Sequence, residues 1–454
     1  MKNIIPGLFL FIIIMTACSP TKEPIQKPIR LVTLDPGHFH AALVQKSMYP
    51  SVDSTVYIYS EGGPDLDMHL ARIKNYNTRA DHPTHWNLVQ YTGADYLQKM
   101  ATEHKGNVVV LSGNNRIKPE YIDASLNAGM HVFADKPMII RYEDFGRLKS
   151  SFDLAKQQNI LLYDIMTERY EITTQLQRLF SMDQAIFGEL VDGTMDQPAI
   201  TKESVHHFYK FVSGNVLVRP AWFLDVNQQG EGLVDVMTHL VDLVQWECFP
   251  DQVIDTNLIH IDLARRWPTI MSADQFNTIT QSSTYPEYLK KDVHADSLHV
   301  YSNGEINYTI NGKHAKTSVI WNYQAPEGTG DTHYSIMRGT KCNLMIRQGK
   351  EEGYKPTLYI EANDSKESSS IAMAINNKLS AQSQQWPGIN LETTPRGWKL
   401  NIPPAIQEGH EAHFARVMEK FLQYVQAGDM PSWEVPNMIA KYYTTTHALQ
   451  LATH

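Results

Sequence analysis

Short continuous hydrophobic runs, several of them followed by segments of helical character, dominate the first third of the chain. Uninterrupted apolar runs such as residues 107–111 are typical of parallel strands that are buried on both faces. Runs of this kind that alternate with helices predict a parallel sheet of the α/β class. The predicted strands cover residues 29–34, 55–60, 89–92, 107–111, 131–134 and 160–164, and predicted helices cover 41–48 and 121–128.

The second half of the chain shows a different pattern, in which apolar and polar positions alternate. Such alternation favours an antiparallel sheet with one face in water. The predicted strands are 297–302, 305–311, 316–322, 333–339, 342–347 and 358–361, and two helices, 413–427 and 436–452, end the chain. We therefore predict an N-terminal Rossmann-type parallel sheet (29–165), then a C-terminal α+β domain with an open, mainly antiparallel sheet (166–408). Residues 409–454 are expected to pack back on the first domain.

Length and charge are consistent with this division. A chain of 454 residues exceeds one ordinary hydrophobic core and favours two domains. The net charge of -9, without any basic run, argues against a nucleic-acid partner. An open sheet face makes a homo-oligomer the expected assembly.

The amino terminus has the pattern of a secretory signal. Lys2 precedes an apolar stretch from residue 4 to 15, which is too short to span a bilayer. Residues 15–18, Met-Thr-Ala-Cys, resemble a lipoprotein signal, so we predict a signal at 1–17, lipidation of Cys18, a tether at 18–28 and an extracytoplasmic, lipid-anchored protein. A plain signal peptide with an incidental cysteine is the alternative. Cys248 and Cys342 could form one disulfide or remain separate thiols.

A candidate nucleotide corner follows the first strand. There the sequence Asp-Pro-Gly-His-Phe-His-Ala combines a glycine turn with a helix start. Asp35, Gly37 and His40 occupy the three glycine positions of the Gly-x-Gly-x-x-Gly pattern, so only the middle glycine, which lets the backbone approach phosphate, is kept. Glu61 ends the second strand, where an acid binds a ribose diol and favours NAD over NADP. A loop acid without ligand is the alternative for Glu61.

Two further segments carry candidate chemistry. Lys136, in Asp-Lys-Pro, follows a predicted parallel strand, and from there an ammonium can hold a substrate hydroxyl and favour its alkoxide. Residues 230–242 predict an apolar helix on which Asp235 and His239 share one face. An imidazole held by a carboxylate can take a proton from a hydroxyl. The alternatives are a surface lysine, and an aspartate near a helix start with an unrelated histidine.

Together these segments resemble the Gfo/Idh/MocA family of glucose-fructose oxidoreductases, inositol dehydrogenases and their relatives. The residues that carry the resemblance are 31–42, 107–115, 128–137 and the pattern Gly-x-Gly-x-x-Asp-x-x-x-His-x-x-Asp from Gly230. The family usually has Glu-Lys-Pro where this chain has Asp-Lys-Pro, and the first and third glycines of the corner are missing. More narrowly, the amino terminus and residues 163–170 and 203–208 resemble a secreted Bacteroidetes branch that includes enzymes oxidising the 3-hydroxyl of glucosides.

The resemblance implies a set of site residues. Lys136 would bind and polarise the hydroxyl, His239 would be the general base, and Asp235 would orient the base or the sugar. The residues expected to bind the cofactor are Gly37, His38, Phe39, His40, Glu61, Ser112, Gly113, Asn114, Asn115, Asp135 and Lys136. Arg169, His206, His207 and Trp222 are candidate substrate contacts, because aromatic rings beside polar groups suit a sugar. An ion pair is the alternative for Arg169, and packing for the others.

His410 and His413 have a spacing that could ligate a metal. The segment lacks the His-Glu-x-x-His pattern, however, and offers no third ligand, so no metal is predicted.

The function that the sequence predicts is NAD-dependent oxidation of a secondary hydroxyl of a sugar or glycoside. Because free dinucleotide is expected to be scarce outside the cytoplasm, a tightly bound cofactor that is recycled in place is expected. One rival is a glycoside-cleaving enzyme that oxidises transiently and eliminates, which needs a further base. The other is a non-catalytic sugar-binding lipoprotein with a decayed nucleotide corner.

Overall fold

The computed structural model describes residues 28–212 and 215–453. The predicted signal, the lipidation site Cys18 and nearly all of the tether lie outside these residues. Within the described parts of the chain, none of the helices combines the length and apolar character that a bilayer crossing requires.

The first sheet is entirely parallel and runs in the order β3-β2-β1-β4-β5-β6. Chain order reverses between β1 and β4, and in such sheets ligands bind beyond the carboxyl ends of the strands at this point. Its strands are β1 (Leu31–Leu34), β2 (Thr55–Ser60), β3 (Asn87–Thr92), β4 (Val108–Leu111), β5 (His131–Asp135) and β6 (Leu162–Ile165). Its helices are α1 (His40–Val44), α2 (Pro64–Thr78), α3 (Tyr96–Glu103), α4 (Lys118–Asn127) and α5 (Phe145–Gln157).

The second sheet is mixed and mainly antiparallel, with one parallel pair, β13 and β7. Its main path runs β10-β12-β13-β7-β14-β15-β16-β18-β17, with β11 beside β12 and with β8 and β9 as a separate hairpin. The strands are β7 (Ile200–Tyr209), β8 (Phe211–Val212), β9 (Asn215–Val216), β10 (Ile259–Ser272), β11 (Val293–His294), β12 (Ser297–Ile310), β13 (Lys313–Gln324), β14 (Thr332–Arg338), β15 (Cys342–Arg347), β16 (Thr357–Ala362), β17 (Asn390–Thr394) and β18 (Gly397–Asn401). The predicted fold class is confirmed.

The remaining helices surround the second sheet or return to the first. They are α6 (Ile172–Ser181), α7 (Val226–Gln229), α8 (Met237–Cys248), α9 (Ala273–Thr280), α10 (Ser368–Ala381), α11 (His410–Ala427) and α12 (Glu434–Thr453).

Two local predictions were wrong. The predicted helix 230–242 begins only at Met237, and residues 232–236 form turns. The predicted strands 297–302 and 305–311 are one continuous strand, β12. The polar segment 364–370 leads into α10, whose inner side buries Ile371 and Ile375. A polar start is compatible with a helix when one apolar stripe meets a core.

Two hydrophobic cores divide the chain, and the terminal helices connect them. Phe421 of α11 stacks on Phe133 of β5 and on Tyr163 of β6, with ring centroids 4.8 Å and 5.9 Å apart. In α12, Met438 and Tyr442 belong to the first core, whereas Ala440 belongs to the second. The helix therefore lies between the sheets and fixes the crevice in which the candidate site is found.

The two cysteines of the described chain are both free thiols. Cys342 is buried and donates a hydrogen bond to the Ile186 carbonyl at 3.2 Å. Of the two alternatives that the sequence left open, the structure contains separate thiols.

Candidate active site

The central feature of the crevice is an ion pair between Lys136 and Asp235. Nζ of Lys136 lies 2.6 Å from Oδ1 of Asp235, and each side chain is only 8% exposed. Lys136 directly follows β5, and Asp235 lies in the turns before α8. Burial alone would raise the pKa of Asp235, but the charge and hydrogen bond of Lys136 lower it. Asp235 therefore stays ionised inside the crevice.

Gly232 explains how the turn that carries Asp235 comes so close to the second sheet. Its amide donates to the Tyr301 carbonyl of β12 at 3.0 Å. A side chain at this position would clash with the Ser302 carbonyl. Only glycine fits such an approach of two backbones, so Gly232 sets where Asp235 meets Lys136.

His239 lies on the first turn of α8 and is buried. Its Nδ1 has no hydrogen-bond partner. Burial, reinforced by the positive charge of Lys136, lowers the pKa of His239 to about 3. The imidazole is therefore neutral at pH 7 and free to accept a proton. The expectation that Asp235 orients His239 is corrected by the structure, because the carboxylate pairs with Lys136 and the helix begins after Asp235.

Glu168 and His410 are two neighbours of His239 that the predicted set did not include. A carboxylate oxygen of Glu168 lies 3.2 Å from Nδ1 of His410. Burial alone would raise the pKa of Glu168, but its hydrogen bond with His410 holds it well below its usual range. Glu168 follows β6 and His410 begins α11, so only the return of α11 brings them together.

Lys118 is a third residue that the sequence prediction missed. Its ammonium is buried and donates to the Asn115 side chain at 2.6 Å, the Asp135 carbonyl at 2.6 Å and the Pro137 carbonyl at 2.9 Å. Burial lowers the pKa of Lys118 to about 8. The residue holds the backbone on both sides of Lys136. A lysine in the first turn of a helix gives no sequence signal of such a role.

The nucleotide corner departs from the usual glycine pattern in a way that the structure explains. Asp35 takes the left-handed conformation, with φ +45°, that the first glycine would adopt, and its carboxylate accepts from Tyr121 at 2.7 Å. Gly113 packs against the Asp35 carbonyl, where a Cβ would come within 2.5 Å of oxygen. The amides of Gly37 and His38 both donate to the Ser112 carbonyl at 3.1 Å. Both amides therefore form hydrogen bonds within the protein instead of pointing at a phosphate group.

His40, at the third glycine position, contacts Asp135 across the corner. Nδ1 of His40 lies 3.0 Å from Oδ2 of Asp135, and Nδ1 of His38 lies 3.3 Å from the same oxygen. Ser112 donates to this oxygen at 2.9 Å. Burial lowers the pKa of both imidazoles. Phe39 packs against both rings, with centroids 4.7 Å from His38 and 4.4 Å from His40.

Other features of the corner fit a dinucleotide. Glu61 is exposed directly after β2, where a ribose diol would be held. Asn114 and Asn115 follow β4 but reach across the crevice, where their side chains donate to Gln228 and Gln229 at 2.7 Å. Glu61 and Lys136 are therefore placed as NAD binding requires. The turn that would contact the phosphates, in contrast, differs from the usual glycine-rich form.

Trp222 lies over the nucleotide corner. Its indole Nε1 donates to Asp65 at 2.7 Å, and its ring lies 3.0 Å from where a Cβ of Gly37 would stand. The residue was predicted as a substrate contact. The structure instead places it beside the turn that was assigned to the cofactor.

Arg169 was predicted as a substrate contact or as the partner of Glu168 or Glu171. Its guanidinium instead forms two hydrogen bonds of 2.7 Å to Asp242, while Nη1 lies 3.1 Å from Glu434 of α12. Both carboxylates are buried. These contacts take up its donors in an ion-pair network, so the structure does not place Arg169 as a substrate contact.

His206 and His207 share one partner, Asp331, at 3.2 Å and 3.0 Å from their Nδ1 atoms. His206 stacks on Trp321 at 5.1 Å, Trp321 contacts Phe223 at 6.2 Å, and Phe223 stacks on His38 at 5.9 Å. This aromatic row, His206, Trp321, Phe223 and His38, connects β7 with the nucleotide corner. Trp321 and Phe223 were not predicted, because each lies in an ordinary apolar context.

Comparisons with known proteins identify relatives of the whole chain. The family described as "Putative oxidoreductase C terminal domain" matches residues 176–453, which is more than half of the chain. The crystal structure of an oxidoreductase from Parabacteroides merdae is 53% identical and superposes with a TM-score of 0.89, over 94% of this chain and 98% of that one. An uncharacterized oxidoreductase of Schizosaccharomyces pombe is 29% identical over 148 residues. That match covers 32% of this chain, and the chain spans only about a third (35%) of the yeast protein.

More distant neighbours share the fold. Levoglucosan dehydrogenase, in complex with NADH and levoglucosan, is 13% identical, with a TM-score of 0.57 over 94% of this chain and 97% of that one. KijD10, a 3-ketoreductase from Actinomadura kijaniata in complex with NADP, is 15% identical, with a TM-score of 0.53 over 92% and 96%. These neighbours are Gfo/Idh/MocA-like oxidoreductases. The chain belongs to the oxidoreductase family that is defined by this C-terminal domain.

Proposed function

We propose that the protein is an NAD-dependent dehydrogenase that oxidises a secondary hydroxyl of a sugar or glycoside. The observation that carries the proposal is the meeting of the Lys136–Asp235 ion pair with neutral His239 in a crevice at the carboxyl ends of a parallel sheet. An ammonium can hold the hydroxyl and stabilise its alkoxide, and a neutral imidazole can accept its proton. The relationship to the oxidoreductase of Parabacteroides merdae supports the reaction class.

The cofactor would be held along the edge of the first sheet. Glu61 would bind a ribose diol, the turn at Gly37 would lie beside the diphosphate, and Lys136 would face the nicotinamide. Bound NAD would supply the acceptor for hydride. The neighbours crystallised with NADH or NADP support a nicotinamide dinucleotide, and the acidic Glu61 favours NAD.

The protein's own side chains orient the substrate, stabilise the developing charge and accept the proton. Lys136 orients the hydroxyl and stabilises negative charge on its oxygen, while Asp235 keeps the ammonium in place. His239 takes the hydroxyl proton, since burial keeps the imidazole neutral. Glu168, beside His410, favours the imidazolium that this transfer creates, because its charge raises the pKa of His239.

A glucoside oxidised at its 3-hydroxyl is the preferred substrate. The aromatic row offers flat apolar faces of the kind that pack against a sugar ring, and His206, His207 and Asp331 supply polar groups beside it. The neighbours named as a 3-ketoreductase and as levoglucosan dehydrogenase support a reaction at a sugar carbon.

The proposal also covers the location of the enzyme, the recycling of its cofactor and its oligomeric state. We infer a lipoprotein of the Bacteroidetes branch that is anchored outside the cytoplasm through Cys18, carries tightly bound NAD and recycles it by reducing a second sugar or ketone. We also infer a homo-oligomer, because β10 and β13 expose Trp267, Ile270 and Ile320 to solvent. The lipid anchor would be the contact with the membrane.

The test is to denature purified protein, identify the released cofactor by mass, and scan glycosides for reduction of the nicotinamide. We expect NAD to be released and a glycoside-dependent signal to appear, which Lys136→Ala and His239→Ala abolish. Lys74→Ala, an exposed lysine on α2, is the matched control and should keep the signal. Protein that neither binds NAD nor responds to any sugar would contradict the proposal and favour a sugar-binding role.

A further inference from the structure

His38, His40 and Asp135 bring three potential metal-ligating atoms together. In residues 28–212 and 215–453, they are the one group of three His, Cys, Asp or Glu side chains whose ligand atoms all lie within 4.8 Å of one another. Asp135 and His40 are buried, and His38 keeps 13% of its side chain exposed toward solvent. The group is therefore enclosed but accessible from one side.

We propose that His38, His40 and Asp135 bind a divalent transition-metal ion of the Zn²⁺ type, with a fourth position open to an oxygen ligand. The ligands would be the two imidazole Nδ1 atoms and one carboxylate oxygen. In a tetrahedral site with bonds of about 2.0–2.2 Å, ligand atoms lie about 3.3–3.6 Å apart. The observed separations of 3.0 Å and 3.3 Å from Asp135 to the two imidazoles are close to these edges. Two nitrogen ligands favour Zn²⁺, Co²⁺ or Ni²⁺ over Mg²⁺ or Ca²⁺.

The surrounding contacts orient all three ligands. Ser112 donates to Oδ2 of Asp135, and Lys118 holds the carbonyl of the same residue. The His40 ring packs against Phe414 at 4.6 Å, and the two imidazoles meet edge to face at 4.1 Å. Ligands fixed in this way lose little freedom when an ion binds.

The same short distances also fit a simpler arrangement in which both imidazoles donate Nδ1–H to the carboxylate. The two arrangements differ in one chemical respect. An ion requires both Nδ1 atoms to be without a proton, whereas the hydrogen bonds require each to carry one. Metal titration therefore separates them directly.

The structure of the nucleotide corner suggests a role for the ion in binding the diphosphate. The amides of Gly37 and His38, which would ordinarily face a diphosphate, donate to the Ser112 carbonyl, and α1 has only five residues. A cation at His38 and His40 would restore positive charge at this turn, with its open position facing a phosphate oxygen. This role rests on the proposed function, whereas binding of the ion does not.

The experiment treats the full-length protein with a chelator and titrates it with Zn²⁺ by calorimetry and with Co²⁺ by visible absorption, both without NAD. We expect one ion per chain and the absorption of a tetrahedral Co²⁺ site. His38→Gln and Asp135→Asn should abolish stoichiometric binding, and Ser112→Ala should weaken it by about 10-fold to 100-fold. His82→Asn, which changes an exposed histidine of the first domain, should leave the affinity unchanged.

Failure to bind one ion per chain would overturn the site, whatever the protein does with NAD. Retention of full affinity in both His38→Gln and Asp135→Asn would overturn it as well. A second titration measures NAD affinity with and without Zn²⁺. Tighter binding with the ion supports the role at the diphosphate, and equal affinity overturns that role. Protein that binds Zn²⁺ but no NAD contradicts the proposed function while the metal site stands.

Discussion

The ammonium of Lys136 donates a hydrogen bond of 2.6 Å to Oδ1 of Asp235, a residue 99 positions further along the chain. The contact joins the end of β5 in the first sheet to the turn before α8 in the second domain. Both partners are buried, so each neutralises a charge that would otherwise be costly to remove from water. The pair is thus a structural link between domains as well as part of the candidate site.

Removal of one partner should therefore destabilise the protein. We expect Lys136→Met to lower the free energy of unfolding by about 3–5 kcal/mol, because Asp235 is left buried and unpaired. The double variant Lys136→Met/Asp235→Leu should recover a large part of that loss. Denaturant unfolding of the single and double variants measures the coupling.

Lys290→Ala is the control for this prediction, because Lys290 forms an exposed ion pair with Glu287. We expect it to change the free energy of unfolding by about 0–1 kcal/mol. A loss in Lys136→Met no larger than in Lys290→Ala would show that the buried pair does not stabilise the fold.

His239 should affect the chemical step more than the fold. We expect His239→Asn to lower kcat by about 10²-fold to 10⁴-fold, because the proton acceptor is removed. The melting temperature should change little, since Nδ1 of His239 makes no hydrogen bond that could be lost. Steady-state kinetics and thermal unfolding of the same preparation test both parts. A variant with unchanged kcat would exclude His239 as the base.

Acid should destabilise the protein through buried neutral histidines, of which His69 on α2 is the clearest. Both of its ring nitrogens are buried without partners, and burial lowers its pKa from 6.5 to about 3. Below pH 6.5 the unfolded chain takes up a proton that the folded protein does not, so stability falls as the pH decreases toward 3. Between pH 8 and pH 5, the free energy of unfolding of His69→Leu should therefore fall by about 2 kcal/mol less than that of the native chain.

The measurement is denaturant unfolding of both proteins over this pH range. His82→Asn is the matched control, because the His82 side chain is 91% exposed and its substitution should not alter the pH dependence. An identical pH dependence in the His69→Leu variant and the native protein would contradict the prediction.

Gly232 should not tolerate a side chain. In Gly232→Ala the new methyl group meets the Ser302 carbonyl, so we expect the turn to shift, the Lys136–Asp235 pair to separate, and both kcat and the melting temperature to fall. Gly146→Ala in α5 is the control, because nothing lies within 4 Å of its Cβ position. It should raise the free energy of unfolding by about 0.5–1 kcal/mol, as is usual for a helical glycine. Equal effects of the two substitutions would exclude a special role for Gly232.

The sequence by itself determined the two-sheet architecture and identified Lys136, Asp235 and His239 as candidate site residues. Continuous apolar runs and alternating runs differ in period, and this difference is visible without a structure. Local spacing, however, suggested a single helix from Gly230, and it paired Asp235 with His239. The chain turns before Met237 because Gly232 is held against β12, and Asp235 reaches Lys136 instead.

Only the tertiary structure decided which charged groups meet. His40 contacts Asp135, Glu168 contacts His410, and Arg169 joins Asp242 to Glu434, all across distant parts of the sequence. No local pattern encodes these pairs, because the partners are far apart in the sequence and meet only when distant elements pack against one another. The sequence determines which ionisable side chains are present, but the tertiary structure determines which partners they meet and therefore how their pKa values shift.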